Sequence, residues 1–155
     1  MKPILDVACG SRMFWFDRQN PNAVFGDIRK ESHVLCDGRA LEISPDLVMD
    51  FKNIPFADGT FKLVVFDPPH LKAAGKNGWQ AKKYGVLGFD WKNDLKRGVD
   101  ECFRVLDNHG VLIFKWNEHS LKVFEILNAI QRTPLFGHRT TQNGKTVWLT
   151  FMKCA

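Results

Sequence analysis

An aspartate, two prolines and a histidine stand together at Asp67-Pro68-Pro69-His70, directly after the apolar run Val64-Val65-Phe66. Neither proline has a backbone N–H, and each fixes φ near about −65°. Asp67, placed before a proline, is driven to an extended conformation. The result is a stiff corner that presents a carboxylate, carbonyl oxygens lacking ladder partners, and an imidazole. Two more acids end apolar runs, Asp27 after Ala23-Val24-Phe25-Gly26 and Asp50 after Leu47-Val48-Met49. In open α/β sheets, ligands bind at the carboxyl ends of the strands. A single aspartate at a strand end is usually just solvated. Three gathered along one sheet edge concentrate like charge, and that needs a reason.

The elements that must position these residues follow from the pattern. Residues 3–8 read as a short buried strand running into Cys9-Gly10-Ser11. Gly10 permits a positive φ or a close backbone approach, and Ser11 can cap a helix over residues 12–18. Residues 23–27 form the second strand, 45–50 the third and 62–67 the fourth. Residues 29–44 are poorly periodic, with a turn at Cys36-Asp37-Gly38. An amphipathic helix is predicted over 93–106, capped by Asn93, with Leu95, Val99, Cys102, Phe103 and Leu106 inward. Residues 110–114 form a fifth strand, followed by Lys115-Trp116-Asn117-Glu118. A last helix spans 120–132, with Phe124 among its inward residues. Asn143-Gly144 signals a hairpin between 135–140 and 146–152.

Asp6 and Asp27 have the separation of a strand–helix–strand unit. A dinucleotide fingerprint also places a ribose-binding acid about 20 residues on. The Gly-x-Gly-x-x-Gly that cradles a pyrophosphate is missing, and only Gly10 stands in the loop. This points to a ligand with a ribose and no pyrophosphate. Residues 71–91 form a long stretch with Lys72, Lys76, Lys82, Lys83, Trp79, Tyr84 and Trp91. Basic residues interleaved with aromatics suit a surface that tracks a nucleic-acid backbone and stacks bases. A glycine-rich loop tucked down by its aromatics would carry the same residues.

The chain has 155 residues, enough for one domain with a real core over 1–155. Its charge of +5 permits an anionic partner without demanding one. No run is long enough to span a membrane and no apolar segment follows the start, so the expectation is cytoplasmic, with no membrane partner. The four cysteines are scattered, which indicates neither a disulfide framework nor a metal site.

Taken together, these segments resemble the class I S-adenosylmethionine (SAM)-dependent methyltransferases over almost the whole length. Residues 5–11 look like the family's first motif, whose loop approaches the methionine part of SAM. Gly26-Asp27-Ile28 matches the acid that holds the ribose hydroxyls. Met49-Asp50-Phe51, followed by residues 54–61, is similar to the segment whose acid and next N–H read the adenine. Residues 103–106 and 109–113 look like the end of a helix and the fifth strand. The resemblance implies SAM as cofactor, with Asp6, Ala8, Cys9, Gly10, Asp27, Ile28, Asp50 and Phe51 around it. It implies a Rossmann-like α/β fold, a mostly parallel seven-stranded sheet with helices on both faces and a C-terminal antiparallel hairpin. Two departures stand out: Arg12 and Met13 replace the usual second glycine region, and the first helix is short. Short stand-alone methyltransferase-like proteins of phages and prophages look most similar.

Asp67-Pro68-Pro69-His70 resembles the Asp-Pro-Pro-Tyr motif of amino-methyltransferases, including those that make N6-methyladenine. An exocyclic amine on an aromatic ring is a poor nucleophile, because its lone pair is delocalised. Asp67 and the Pro68 carbonyl could accept its two hydrogens and turn the lone pair toward the methyl group. The fourth residue stacks on a flipped base, here as His70 instead of Tyr. The implied acceptor is an amino group, first of all adenine N6 in DNA or RNA. In the family's sheet the fourth and fifth strands are neighbours, which implies that residues 115–118 lie beside Asp67; Lys82, Lys83, Tyr84, Trp116 and Asn117 are candidate acceptor contacts. A protein side-chain amide, a small molecule, or a non-catalytic binding role are the other readings. No target-recognition domain fits in this length, which leaves room for a partner subunit or a homo-oligomer.

Overall fold

The structure is a computed structural model that describes residues 1–71 and 78–155. Its main sheet has seven strands in the order β5-β2-β1-β6-β7-β9-β8. They are β1 (Ile4–Asp6), β2 (Ala23–Asp27), β5 (Leu47–Val48), β6 (Phe61–Phe66), β7 (Leu106–Asn117), β8 (Phe136–Arg139) and β9 (Thr146–Met152). β5, β2, β1, β6 and β7 run parallel, β9 is antiparallel to β7, and β8 is antiparallel to β9. The fold is the expected Rossmann-like α/β sheet closed by an antiparallel hairpin. The chain leaves β1 to one side for β2 and returns on its other side as β6. That reversal makes a crevice at the carboxyl ends of β1 and β6.

Register decides what meets at that crevice. Asp6 pairs with Phe25 on one side and Val65 on the other, and Phe66 pairs with Phe114. Continuing the register sets Asp27, Ala8, Asp67 and Lys115 in one row across the sheet, with Lys115 opposite Trp148. Side chains alternate between faces along each strand. Leu5, Val64, Phe66, Leu112, Phe114 and Trp116 point into the main core. There they meet Leu95, Val99 and Cys102 of α2 (Trp91–Val105) and Ile126 and Ile130 of α3 (Val123–Ile130). Asp27, Asp67 and Lys115 therefore project from the face opposite these helices.

That opposite face corrects the expectation of helices on both sides. Among the described residues, residues 12–18 form turns, not a helix. Arg12 has a left-handed φ of 57°. Its guanidinium donates to the Arg18 and Ser44 carbonyls and stacks over Phe25, 3.8 Å from the ring centroid. The Asp17 carboxylate accepts the Gln19 N–H and the Asn20 side chain the Asn22 N–H. Such local bonds compete with helix formation. Trp15 then packs edge-on to Phe25 at 4.8 Å and, with Cys9 and Ala23, makes a small second core in the helix's place.

Other boundaries also move. Residues 29–44 hold an antiparallel hairpin, β3 (Glu31–Val34) and β4 (Ala40–Ile43), turned at Gly38 with φ 80°. The third strand is only Leu47–Val48, so Asp50 lies beyond it. α2 begins at Trp91, and Asn93 donates to the Asp90 carboxylate without capping the helix. α3 starts at Val123, later than residue 120, after Lys122, whose N–H donates to Glu125, and Phe124 is exposed instead of inward. The short α1 (Trp79–Tyr84) lies in the long stretch read as a loop.

Candidate functional site

The corner after β6 stands where the row of polar residues crosses the crevice. Lys115 Nζ donates to Asp67 Oδ2 at 2.9 Å. The same ammonium lies 5.1 Å from the Phe14 ring centroid and 5.6 Å from that of Trp148. Burial pushes the Asp67 carboxyl above its ordinary range, and the Lys115 charge and hydrogen bond pull it back. Pro68 is buried and Pro69 faces Gly85, where an added Cβ would lie 3.2 Å from Pro69 Cγ. Gly85 has φ 73°, so the chain leaving α1 turns back against the corner there. His70 meets Trp116 edge-on, with ring centroids 6.4 Å apart. Burial, and then the nearby Lys115 and His119, push the His70 pKa down to about 4. The imidazole is neutral at physiological pH.

The loop after β1 is pinned from below. Asp6 is fully buried and accepts the Trp15 indole N–H at 2.7 Å and the Ala8 N–H at 3.3 Å. It supports the loop from inside and has no surface to offer a ligand. Burial pushes its pKa up to about 7, with Asp67 and Asp27 adding smaller repulsion. A carboxyl raised in the folded state stabilises at low pH and loses that contribution as pH rises toward 7. Wild type should therefore gain about 2–3 kcal/mol over Asp6→Asn on going from pH 8 to pH 5. Chemical denaturation of both proteins at the two pH values checks this; a constant gap would contradict it.

Above Asp6, Cys9 N–H donates to the Gly26 carbonyl, and Gly10, at φ 50°, donates to Asp27 Oδ2 at 2.8 Å. The Cys9 thiol is buried and pushed up to about 12, so it stays protonated. Asp27 Oδ1 accepts the Arg29 N–H at 2.9 Å. Each carboxylate oxygen keeps a second lone pair, but Asp27 is buried and stands behind the Gly10 loop, lining none of the cavities beside it. The Arg29 guanidinium lies 3.5 Å from Asp27 and donates to the Lys82 carbonyl, spanning the gap between β2 and α1. Ile28 is exposed beside it.

The other candidates separate into two groups. Asp50 is partly exposed and accepts the Lys52 N–H at 2.8 Å, past the end of the row. Phe51 packs at a tilt against Phe66, with ring centroids 5.0 Å apart, and fits over Gly98, where a Cβ would meet its ring at 2.5 Å. Trp116 is corrected outright: it is fully buried in the core, its indole N–H bound to the Leu121 carbonyl. It supports His70 from behind and cannot touch an acceptor. Asn117 lines the cleft and donates to Thr146. The side chains of Lys83 and Tyr84, and residues 72–77 with Lys72 and Lys76, lie outside the described residues.

Two cavities adjoin the row. A small one of about 60 Å³ is bounded by Ala8, Gly10, Arg29, Asp67 and Lys115. A larger cleft of about 320 Å³ opens between the ends of β6 and β7, α1 and the β9 hairpin, and shares Asp67, His70 and Lys115 with the first. The two meet at Asp67. A roomier cleft of about 670 Å³ lies on the other side of the Gly10 loop, against β4, and does not touch Asp67. Sequence reasoning set residues 115–118 beside Asp67 without giving Lys115 a role, and it passed over Arg29. Alternation along the fifth strand beside Asp67 carried the signal for Lys115; nothing local carried one for Arg29.

The donor set suits a ribose-bearing ligand at the Gly10 loop that Asp27 pins and a polar acceptor at Asp67. No family model matches the sequence, and comparison with curated proteins finds no match. Solved structures do match. The cyclase SpnF superposes with a TM-score of 0.62 at 12% identity, over 98% of this chain and 74% of that one. A SAM-dependent methyltransferase from Methanosarcina mazei gives 0.57 at 11% identity, over 97% and 92%. The N-methyltransferase NodS from Bradyrhizobium japonicum WM9 gives 0.57 at 13% identity, over 98% and 85%. At this level of identity the likeness establishes the architecture: the chain has the fold of the class I SAM-dependent methyltransferases.

Proposed function

We propose that this chain is an enzyme that transfers a methyl group from SAM to an amino group, with an adenine of DNA or RNA as the acceptor. The observation that carries this reading is the Asp67-Pro68-Pro69-His70 corner, which stands between the cavity beside Gly10 and the cleft beside His70. Asp27, Gly10 and the end of β2 would hold the adenosyl part of SAM. Bound SAM would supply an electrophilic methyl group, its S–CH3 bond breaking to leave S-adenosylhomocysteine as the N–CH3 bond forms, and the methylated amine would then lose one proton to water. Asp67 Oδ1 and the Pro68 carbonyl, which no backbone donor pairs with among the described residues, accept the amine hydrogens and orient its lone pair. The neutral His70 gives a flat face for a ring.

Charge supports an anionic acceptor. Lys115 and Lys145 line the cleft, and Asp67, its single carboxylate among the described residues, is paired with Lys115. Among the described residues no carboxylate pairs with Lys145. A second reading is favoured by SpnF, whose cyclase activity shows that this fold also serves other chemistry.

Incubation with methyl-labelled SAM and, in turn, DNA, RNA, proteins and small amines tests the proposal. Label should enter nucleic acid, with transfer falling steeply as salt rises, because phosphate contacts release counterions. Label confined to protein or small molecules would replace the acceptor; label nowhere would leave the binding role.

A further inference from the structure

We propose that Lys115 is a positioning residue for the transfer step, holding Asp67 so that an acceptor meets one carboxylate oxygen in one orientation. This rests on the amino-methyltransferase reading. Lys115 stands next to Asp67 by sheet register, one strand over, with its ammonium on Oδ2 at 2.9 Å. The ammonium is itself held against the faces of Phe14 and Trp148, which lie edge to face at 5.4 Å. A cation fixed by a carboxylate and two rings has little freedom to wander. It occupies Oδ2 of Asp67 and leaves Oδ1 as the oxygen that Lys115 does not hold. A carboxylate with both oxygens open could receive an amine in several poses, and only one of them aims the lone pair at the methyl group.

The other groups around Asp67 give Lys115 a second task. His70 follows on the same corner, Arg29 and His119 approach from the neighbouring loops, and Asp6 lies below on β1. Burial opposes ionisation of Asp67, and the Asp67 charge in turn raises the Asp6 carboxyl. Of these groups, Lys115 is the cation in direct contact. Without it the carboxyl protonates at higher pH, which turns one oxygen into a donor and leaves a weaker, uncharged acceptor for the amine hydrogen.

The test compares wild type, Lys115→Met, Lys115→Gln and Lys115→Arg. Two readouts are used: single-turnover methyl transfer across pH, and carbon-13 NMR titration of the Asp67 carboxyl, assigned with Asp67→Asn. In Lys115→Met and Lys115→Gln, transfer at saturating acceptor should fall about tenfold or more, with acceptor KM changing less. The acid limb of the rate profile and the Asp67 titration should both move to higher pH. Lys115→Arg should restore much of each, since it returns the charge. If one neutral variant fails to fold, the other carries the comparison. An Asp67 titration that stays in place overturns the proposal, even if the rate falls, because the loss is then merely structural. If wild type methylates no acceptor, the functional reading fails, while the titration still decides whether Lys115 controls Asp67.

Discussion

Replacing Asp67 by alanine should lower single-turnover methyl transfer by about a hundredfold or more while SAM affinity changes little. That is the scale of removing one oriented polar group from an active site. The separation of effects follows from placement. Asp67 lies where the small cavity beside Gly10 joins the larger cleft, whereas Asp27 lies on the Gly10 side. Alanine also strips Lys115 of its partner, so Asp67→Asn is the cleaner companion. The asparagine oxygen can accept one hydrogen bond, and transfer should drop less. His70→Ala should mainly raise the acceptor concentration required, by about 1–3 kcal/mol for a lost stacking face. His70→Phe or His70→Tyr should recover part of that loss if the acceptor is planar. His70 is already neutral above about pH 4, so its titration should leave no inflection in the rate near neutral pH. Full activity in Asp67→Ala would sink the mechanism.

The second large effect belongs to Asp27. Asp27→Ala should weaken SAM binding by roughly ten- to a hundredfold, from lost charge-assisted bonds of about 1.5–3 kcal/mol. The structure adds a reason for the upper end of that range. Asp27 also receives the N–H groups of Gly10 and Arg29, so its loss loosens the loop and the turn that shape the cavity. Asp27→Asn keeps an acceptor oxygen and should lose less. Calorimetric titration of SAM into each folded variant reads the difference, and an unchanged affinity would remove Asp27 from the assignment.

The parts of this fold that could be read from the sequence are those with strong local patterns. The apolar runs before Asp27 and Asp67, the helix around Leu95, Val99 and Cys102, and the Asn143-Gly144 hairpin each carry their own signal. The placement of Lys115 beside Asp67 followed from strand neighbours alone. Trp116 was misread because a tryptophan at a strand end gives no local clue to its face. The face is fixed by alternation from Leu112 and Phe114, both fully buried. Residues 12–18 look helical by composition, but Arg12 adopts a left-handed φ to reach Ser44 and Asp46, contacts more than thirty residues away. The roles of Trp15 under Asp6 and of Arg29 between Asp27 and Lys82 are likewise long-range and leave no trace in spacing.

The central claim is that SAM binds at the carboxyl ends of β1 and β2, with its methyl group toward Asp67. Titrating SAM into nitrogen-15-labelled protein tests it most directly, because the backbone N–H groups of Gly10 and Arg29 both point at Asp27. The account predicts saturable shifts at Gly10, Arg29 and the residues flanking Asp67, and their weakening in Asp27→Ala. Shifts confined to Arg18, Arg39 and Ser44 around the cleft against β4, or no saturable shift at all, would contradict it.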